Sequence, residues 1–143
     1  MQDRPTAIEL LEAAANFVDR EIVPVTEGGR QFQSRVVANV MRIIAREMKL
    51  EEPHMREEIT ALCALLGKEK PHLHGRDELY DAALKLNDEL SAKIRAGDVD
   101  SGELRERTLK VVRHAVENKL KIANPRYLEA DLAAREKRRL AGC

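Results

Sequence analysis

The stretch from residue 29 to residue 50 constrains the fold of this chain most strongly, because its apolar residues recur with helical spacing. On a helical wheel, at roughly 100° per residue, they cover about half of the circumference. These residues are Phe32, Val36, Val37, Val40, Met41, Ile43, Ile44 and Met48. A mostly cationic stripe follows the other side of the helix: Arg35, Asn39, Arg42, Arg46 and Lys49. The pattern predicts a helix with one face in the core and one charged face on the surface.

The composition favours packed helices over other architectures. Aromatic residues make up only 3% of the chain and Trp is absent, so Leu, Ile, Val, Met and Ala must build the core. With 43% hydrophobic and 35% charged residues, the sequence is typical neither of a disordered chain nor of a membrane-spanning one. A length of 143 residues suits one domain with its own core, so we predict a single helical domain over residues 1–143.

Start and stop signals divide the chain into about six helices, with no alternating strand pattern to compete. The first begins at the capping box from Thr6 to Glu9, and the second ends before Pro53, where the third begins. The fourth is predicted from about residue 76 to residue 96, after a predicted loop over residues 68–75. Asp100 or Ser101 caps the fifth, and a charged sixth helix or tail begins at about residue 125. The predicted fold is therefore an all-α, single-domain bundle.

Apolar spacing also predicts which faces of the later helices are buried. In the fourth helix a narrow seam resembles bundle packing: Leu79, Ala83, Leu86, Leu90 and Ile94. In the fifth helix the predicted buried side is wider: Leu104, Thr108, Val111, Val112, Ala115, Val116 and Leu120. Apolar surface beyond what one small bundle buries would favour a homodimer.

Charge and signals for targeting point to a cytoplasmic protein. The 25 basic and 25 acidic residues cancel, and aromatics are too few for a base-stacking platform, so we predict no nucleic-acid partner. Apolar runs are far shorter than the ~18 residues of a spanning helix, and the residues around Gln2 and Asp3 do not resemble a secretory signal. The positions of Cys63 and Cys143 do not suggest a disulfide framework. We therefore predict no membrane association.

Motif searches support neither catalysis nor a cofactor. Phosphate-binding, dinucleotide-binding and nucleophile-elbow glycine motifs are all absent. His72 and His74 supply two potential metal ligands, with His54 or Cys63 as a third, but solvent-exposed histidines explain this pattern more simply. The spacing from Glu51 to His54 is similar to that of a di-iron motif, but the sequence has no second copy of it. The acidic stretch after residue 98 lacks the Glu that ends a calcium-binding loop. We predict no metal and no cofactor.

The cationic stripe of the second helix is the candidate binding site. Arg presents a planar fork that matches phosphate or carboxylate groups, so the stripe would suit a small anion or an acidic patch on a partner. The alternative is a solvated face whose charges pair with neighbouring carboxylates. Asn39 borders the apolar arc, and we therefore expect it to be partly buried. The candidate residues are Arg35, Asn39, Arg42 and Arg46.

Three segments resemble a bacterial helical family of unknown function: RPTAIELLEAAANFVDREIVP, GRQFQSRVVANVMRIIARE and ENKLKIANPRYL. The resemblance extends from Arg4 to about Tyr127. It rests on Arg4, Pro5, Leu10, Leu11, Arg35, Val36, Asn39, Arg46, Glu47, Asn124 and Pro125. Members of that family are encoded beside, or fused to, aminoglycoside-phosphotransferase-like kinases and acyl-CoA dehydrogenases. The resemblance implies a context in acyl-CoA or carbon-source catabolism and no particular activity.

Two functions follow from these observations. The first is a non-catalytic helical accessory or interaction module that docks on a kinase-like or acyl-CoA-dehydrogenase-like protein. The second is a binding domain for a small anion, such as an acyl phosphate or a CoA-type molecule, that uses the cationic stripe. Because no catalytic motif is present, we favour the first.

Overall fold

The computed structural model describes residues 4–141, and within that range the chain is all-α, as predicted. Five α-helices account for the architecture: α1 (Ala7–Phe17), α2 (Gly28–Leu66), α3 (Arg76–Ala96), α4 (Gly102–Ala123) and α5 (Pro125–Ala141). A π-helical turn and a 3₁₀ turn, Val18–Ile22 and Val23–Val25, join α1 to the segment before α2. The predictions that concern Gln2, Asp3 and Cys143 lie outside the described residues.

The helix count is five instead of about six because α2 continues through Pro53. The prediction that Pro53 ends one helix and begins another is therefore wrong. Proline removes one backbone N–H and crowds the carbonyl four residues earlier, which costs about 3 kcal/mol in a helix interior. A break at Pro53 would leave the last carbonyls of one helix and the first N–H groups of the next without intrahelical partners. A continuous helix keeps most of those hydrogen bonds, and this gain opposes the local stop signal.

Several other local signals are confirmed. The Thr6 hydroxyl accepts a hydrogen bond from the Glu9 backbone N–H at 3.3 Å, and the Glu9 carboxylate accepts one from the Thr6 N–H at 2.7 Å. Gly97 ends α3 with a left-handed φ of 81°, which favours glycine. The Asn124 side chain accepts a hydrogen bond from the Tyr127 N–H at 3.1 Å and so caps α5.

The described residues fall into two compact units, residues 4–51 and 52–141. In the first unit the buried side chains are small or few: Ala15, Val23, Ala38 and Ala45. On α2, the buried Ala38 and Ala45 lie on the side from which Gln31 donates to the Val23 carbonyl at 3.1 Å. The prediction of a single domain over residues 1–143 stays a prediction.

The predicted core face of α2 in the first unit is wrong. Six of the eight residues of the predicted arc are exposed, from 41% at Ile44 to 67% at Phe32, and only Met41 and Ile43 are half-buried. Small alanines, which allow close approach, provide the packed side instead, and the larger side chains point the other way. Periodicity located the apolar arc of this helix correctly but did not reveal that the unit leaves it uncovered.

The second unit has the larger apolar core. It is formed by Ile59, Leu62 and Cys63 of α2 and by Leu79, Ala83, Leu86 and Leu90 of α3. The predicted seam of α3 is thus confirmed through Leu90, whereas Ile94 is 44% exposed. Leu73, from the segment between α2 and α3, and Val111 of α4 pack against this core.

Candidate functional site

The predicted cationic stripe is not a uniform solvated row. Arg42 is partly buried, and its guanidinium Nη1 lies 2.6 Å from the Asp19 carboxylate while Nη2 donates to the Asn16 side-chain oxygen at 3.1 Å. Arg46 is half-buried, also with a polar or charged partner. Arg42 therefore ties α2 to the segment that contains α1 and the π-helical turn.

The other two candidate site residues of the stripe, Arg35 and Asn39, are exposed. The expected partial burial of Asn39 is not observed, because the apolar arc that it borders is itself uncovered. Among residues 4–141 neither side chain makes a hydrogen bond or an ion pair. The four residues thus divide into an interacting pair, Arg42 and Arg46, and a solvated pair.

A shallow pocket of about 300 Å³ adjoins Arg42 and Arg46. Glu12, Asn16 and Ala45 complete its lining. An anion in this pocket would meet the Glu12 carboxylate and would compete with Asp19 for Arg42. The electrostatics of the pocket are therefore mixed, and the anion site stays a prediction.

A polar cluster that we did not predict joins α2 to α4 in the second unit. The Glu57 carboxylate oxygen Oε2 lies 3.3 Å from His114 Nε2 and accepts a hydrogen bond from Asn118 Nδ2 at 3.3 Å. Lys121 Nζ donates to Asn118 Oδ1 at 2.8 Å, which orients the amide so that its NH₂ group faces Glu57. Asn118 is only 4% exposed, so these partners satisfy a buried amide.

Glu57 and His114 also line a shallow pocket of about 470 Å³ in the second unit, so part of this cluster is accessible to solvent. A carboxylate that orients a histidine is also part of many catalytic arrangements, which add a nucleophile bonded to the other side of the imidazole. Within the described residues no hydroxyl or thiol is hydrogen-bonded to His114. On the helical wheel Asn118 falls among Val111 and Ala115, and a polar residue within that apolar face was the available sequence signal.

Two pKa shifts accompany the cluster. Hydrogen bonds from His114 and Asn118 lower the pKa of Glu57 below its ordinary value, because they stabilise the carboxylate. Burial lowers the pKa of the nearby His54, and the positive charge of Lys121 adds to that effect. His54 Nδ1 is buried without a hydrogen-bond partner among the described residues, which fits a neutral imidazole.

The outer face of α4 carries an apolar stripe, two residues of which, Val112 and Val116, were predicted to lie in the core. Leu109, Val112 and Val116 are 50%, 40% and 49% exposed, so the predicted burial of Val112 and Val116 is wrong. Spacings of three and four residues put these side chains on one face of the helix, opposite the face that contains Asn118.

Three exposed cations surround that stripe: Arg105, Arg113 and Lys119. In the part of the chain that the structure describes, none of the three makes an ion pair or a side-chain hydrogen bond. We call the three apolar and three cationic residues together the α4 face. It combines uncovered apolar area with three cations that make no ion pair within residues 4–141, and the exposed Glu106 lies beside Leu109 on the same side of the helix.

Metal binding and membrane insertion find no support in the described residues. Over residues 4–141 no group of three or more His, Cys, Asp or Glu side chains is placed to hold a metal ion. His72 and His74 lie exposed in the segment between α2 and α3. No helix in the same range combines the length and apolar character needed to cross a membrane.

Comparison with known proteins places the chain in a family. A family model described as a domain of unknown function, DUF6285, matches residues 24–127. The match covers more than half of the 143 residues, and the chain belongs to this family. Residues 4–23, which carried part of the predicted resemblance, lie outside the match. No curated protein and no solved structure matches the chain.

Proposed function

We propose that this member of DUF6285 is a non-catalytic helical interaction module and that the α4 face is its docking surface for a partner protein. The observation that carries the proposal is the coincidence, on one helix face, of three exposed apolar side chains with three cations that have no anionic partner within residues 4–141. Folding of the second unit uses the opposite side of α4, so this face is available for binding.

The apolar stripe supplies the interaction energy. Leu109, Val112 and Val116 have the i, i+3, i+7 spacing with which a helix presents anchors to a groove on another protein. Burial of apolar area contributes about 25 cal/mol per Å² before the costs of association are subtracted. A contiguous patch of three large apolar side chains is therefore the natural centre of an interface.

The cations define the kind of partner. Arg105, Arg113 and Lys119 would pair with carboxylates at the rim of an apolar groove, which raises the association rate and selects against basic surfaces. The partner is therefore expected to present an apolar groove with Asp or Glu along its edge. Its affinity for this chain should fall as salt concentration rises.

The resemblance described above supplies the candidates for this partner. Bacterial aminoglycoside-phosphotransferase-like kinases and acyl-CoA dehydrogenases are the proteins beside which the resembling family is encoded. We propose that one of these, encoded next to this chain, is the cytoplasmic protein to which the α4 face binds. The module would then serve acyl-CoA or carbon-source catabolism without itself catalysing a step.

Binding of a small anion at Arg42 and Arg46 is the alternative. It ranks second because the Arg42 guanidinium already bonds Asp19 and Asn16, and because Glu12 lines the same pocket. An acyl phosphate or CoA-type ligand would have to displace the Asp19 carboxylate from Arg42 and bind close to the Glu12 carboxylate.

Co-purification with the neighbouring kinase-like and dehydrogenase-like proteins tests the proposal. We expect the full chain to form a complex with one of them, and Val112→Asp and Val116→Asp to abolish it while circular dichroism stays unchanged. Leu84→Asp, at another exposed apolar position, is the matched control and should retain the complex. A thermal shift with CoA esters or acyl phosphates, but no complex, would overturn the proposal in favour of the alternative.

A further inference from the structure

We infer that the apolar face of α2 in the first unit is a self-association surface, which binds the same face of a second copy with the two helices antiparallel and centred on Val40. The surface consists of Phe32, Val36, Val37, Val40, Ile44 and Met48, and we call it the α2 face. It is distinct from the α4 face, so the inference goes beyond the proposed function.

The first observation is the exposure of this face. Its side chains are between 41% and 67% exposed, although they include one aromatic and several β-branched residues. From Phe32 to Met48 they extend about 24 Å along the helix at 1.5 Å per residue. Single exposed apolar residues are ordinary, whereas a stripe of six exposed apolar residues is of the kind that marks an interaction surface, although Gln33 and the half-buried Glu47 lie on the same side of the helix.

The second observation is the symmetry of the face about Val40. Val36 and Ile44 lie four residues to either side of it, and Phe32 and Met48 lie eight residues to either side. In an antiparallel pair related by a twofold axis at Val40, each residue meets the one equally far on the other side of the centre. Val36 then meets Ile44, Val40 meets Val40, and Phe32 meets Met48 in a favourable sulfur–aromatic contact.

The third observation is the charge at the two ends of the face. The exposed Arg30 lies ten residues before Val40, and Glu51, which is half-buried and already has an interaction within the chain, lies eleven residues after it. Antiparallel pairing brings the Arg30 end of one copy to the Glu51 end of the other. Parallel pairing would instead place like charges together, which is unfavourable. Shape and charge therefore select the same arrangement, and the occupant is a second copy of this chain.

Disulfide trapping tests the register directly. In full-length protein with Cys63→Ala and Cys143→Ser, oxidation should cross-link Val40→Cys with itself. Val36→Cys alone should not cross-link, because the two positions would lie about 12 Å apart along the helix axis, beyond the reach of a disulfide. A mixture of the Val36→Cys and Ile44→Cys proteins should cross-link. Self-linking of Val36→Cys, with no gain in the mixture, would overturn the antiparallel register.

Light scattering at high micromolar concentration tests the association itself. Wild-type protein should have twice the 16.2 kDa mass of one chain, and Val40→Asp should be monomeric with an unchanged circular dichroism spectrum. Val116→Asp, on the α4 face, should remain dimeric, which separates this inference from the proposed function. A wild-type monomer, or a Val40→Asp dimer, would overturn the inference.

Discussion

The guanidinium of Arg42 lies 2.6 Å from the carboxylate of Asp19, and this ion pair links α2 to the π-helical turn that follows α1. The first unit has few large buried apolar residues, so a polar link between its segments carries more of the stability than in an apolar core. Arg42 therefore has a structural role whether or not it also binds a ligand.

Substitution of Arg42 should accordingly destabilise the protein. We expect Arg42→Ala to lower the free energy of unfolding by about 1 kcal/mol, a value reduced from that of a buried ion pair because both side chains are about a third exposed. Arg35→Ala, at an exposed position of the same stripe, should change it by no more than about 0.5 kcal/mol. Urea denaturation measures both values. Equal effects of the two substitutions would contradict the structural role of Arg42.

The core of the second unit depends on α3. Leu86 and Leu90 are 8% and 3% exposed within the apolar cluster, so Leu86→Ala or Leu90→Ala should destabilise by roughly 2–5 kcal/mol. Leu84→Ala on the same helix is the control, because Leu84 is 51% exposed. Chemical denaturation midpoints should fall for the first two variants and stay near the wild-type value for the third. An unchanged midpoint for both core variants would show that this face is not the core.

Stability should also depend on pH through His54. Because the folded-state pKa of His54 is lowered by burial, the unfolded chain binds a proton more readily, and stability falls as pH decreases below about 6.5. His54→Gln should make the free energy of unfolding less dependent on pH between 7 and 5, whereas His72→Gln in the exposed segment should not. The pKa of Glu57 is also lowered, from an ordinary value of 4.5. Protonation of Glu57 should therefore reduce the free energy of unfolding further as the pH falls below 4.5. If the free energy of unfolding of His54→Gln depended on pH as steeply as that of the wild type, this assignment would be contradicted.

Local signals in the sequence predicted much of the fold. The Thr6 and Glu9 capping box, the stop at Gly97 and the cap at Asn124 each depend on neighbouring residues, and the structure confirms all three. Pro53 shows the limit, because α2 continues through a residue that locally disfavours a helix. The backbone hydrogen bonds of the whole helix, which the residues next to the proline do not reveal, favour continuity.

The candidate sites were harder to predict for a related reason. Helical periodicity finds apolar arcs, but it does not say whether the chain covers them, so Phe32 and Val116 were both assigned to the core. The contact between Glu57 and Asn118 joins residues 61 positions apart, and no local pattern specifies that pairing. Only the folded structure shows which apolar faces are exposed. For this reason faces of α2 and α4 that were predicted to be buried are now candidate interaction surfaces.

The affinity of the complex with the neighbouring kinase-like or dehydrogenase-like protein tests the central claim most directly. Isothermal titration calorimetry should compare wild-type protein with a variant in which Arg105, Arg113 and Lys119 are each replaced by Glu. Lys85→Glu, at an exposed position on α3, is the control for a charge reversal outside the α4 face. We predict that the triple variant, still folded, binds at least about tenfold more weakly, a difference of about 1.4 kcal/mol, while the control binds as wild type does. Equal dissociation constants for the wild type and the triple variant would contradict the assignment of the α4 face as the docking surface.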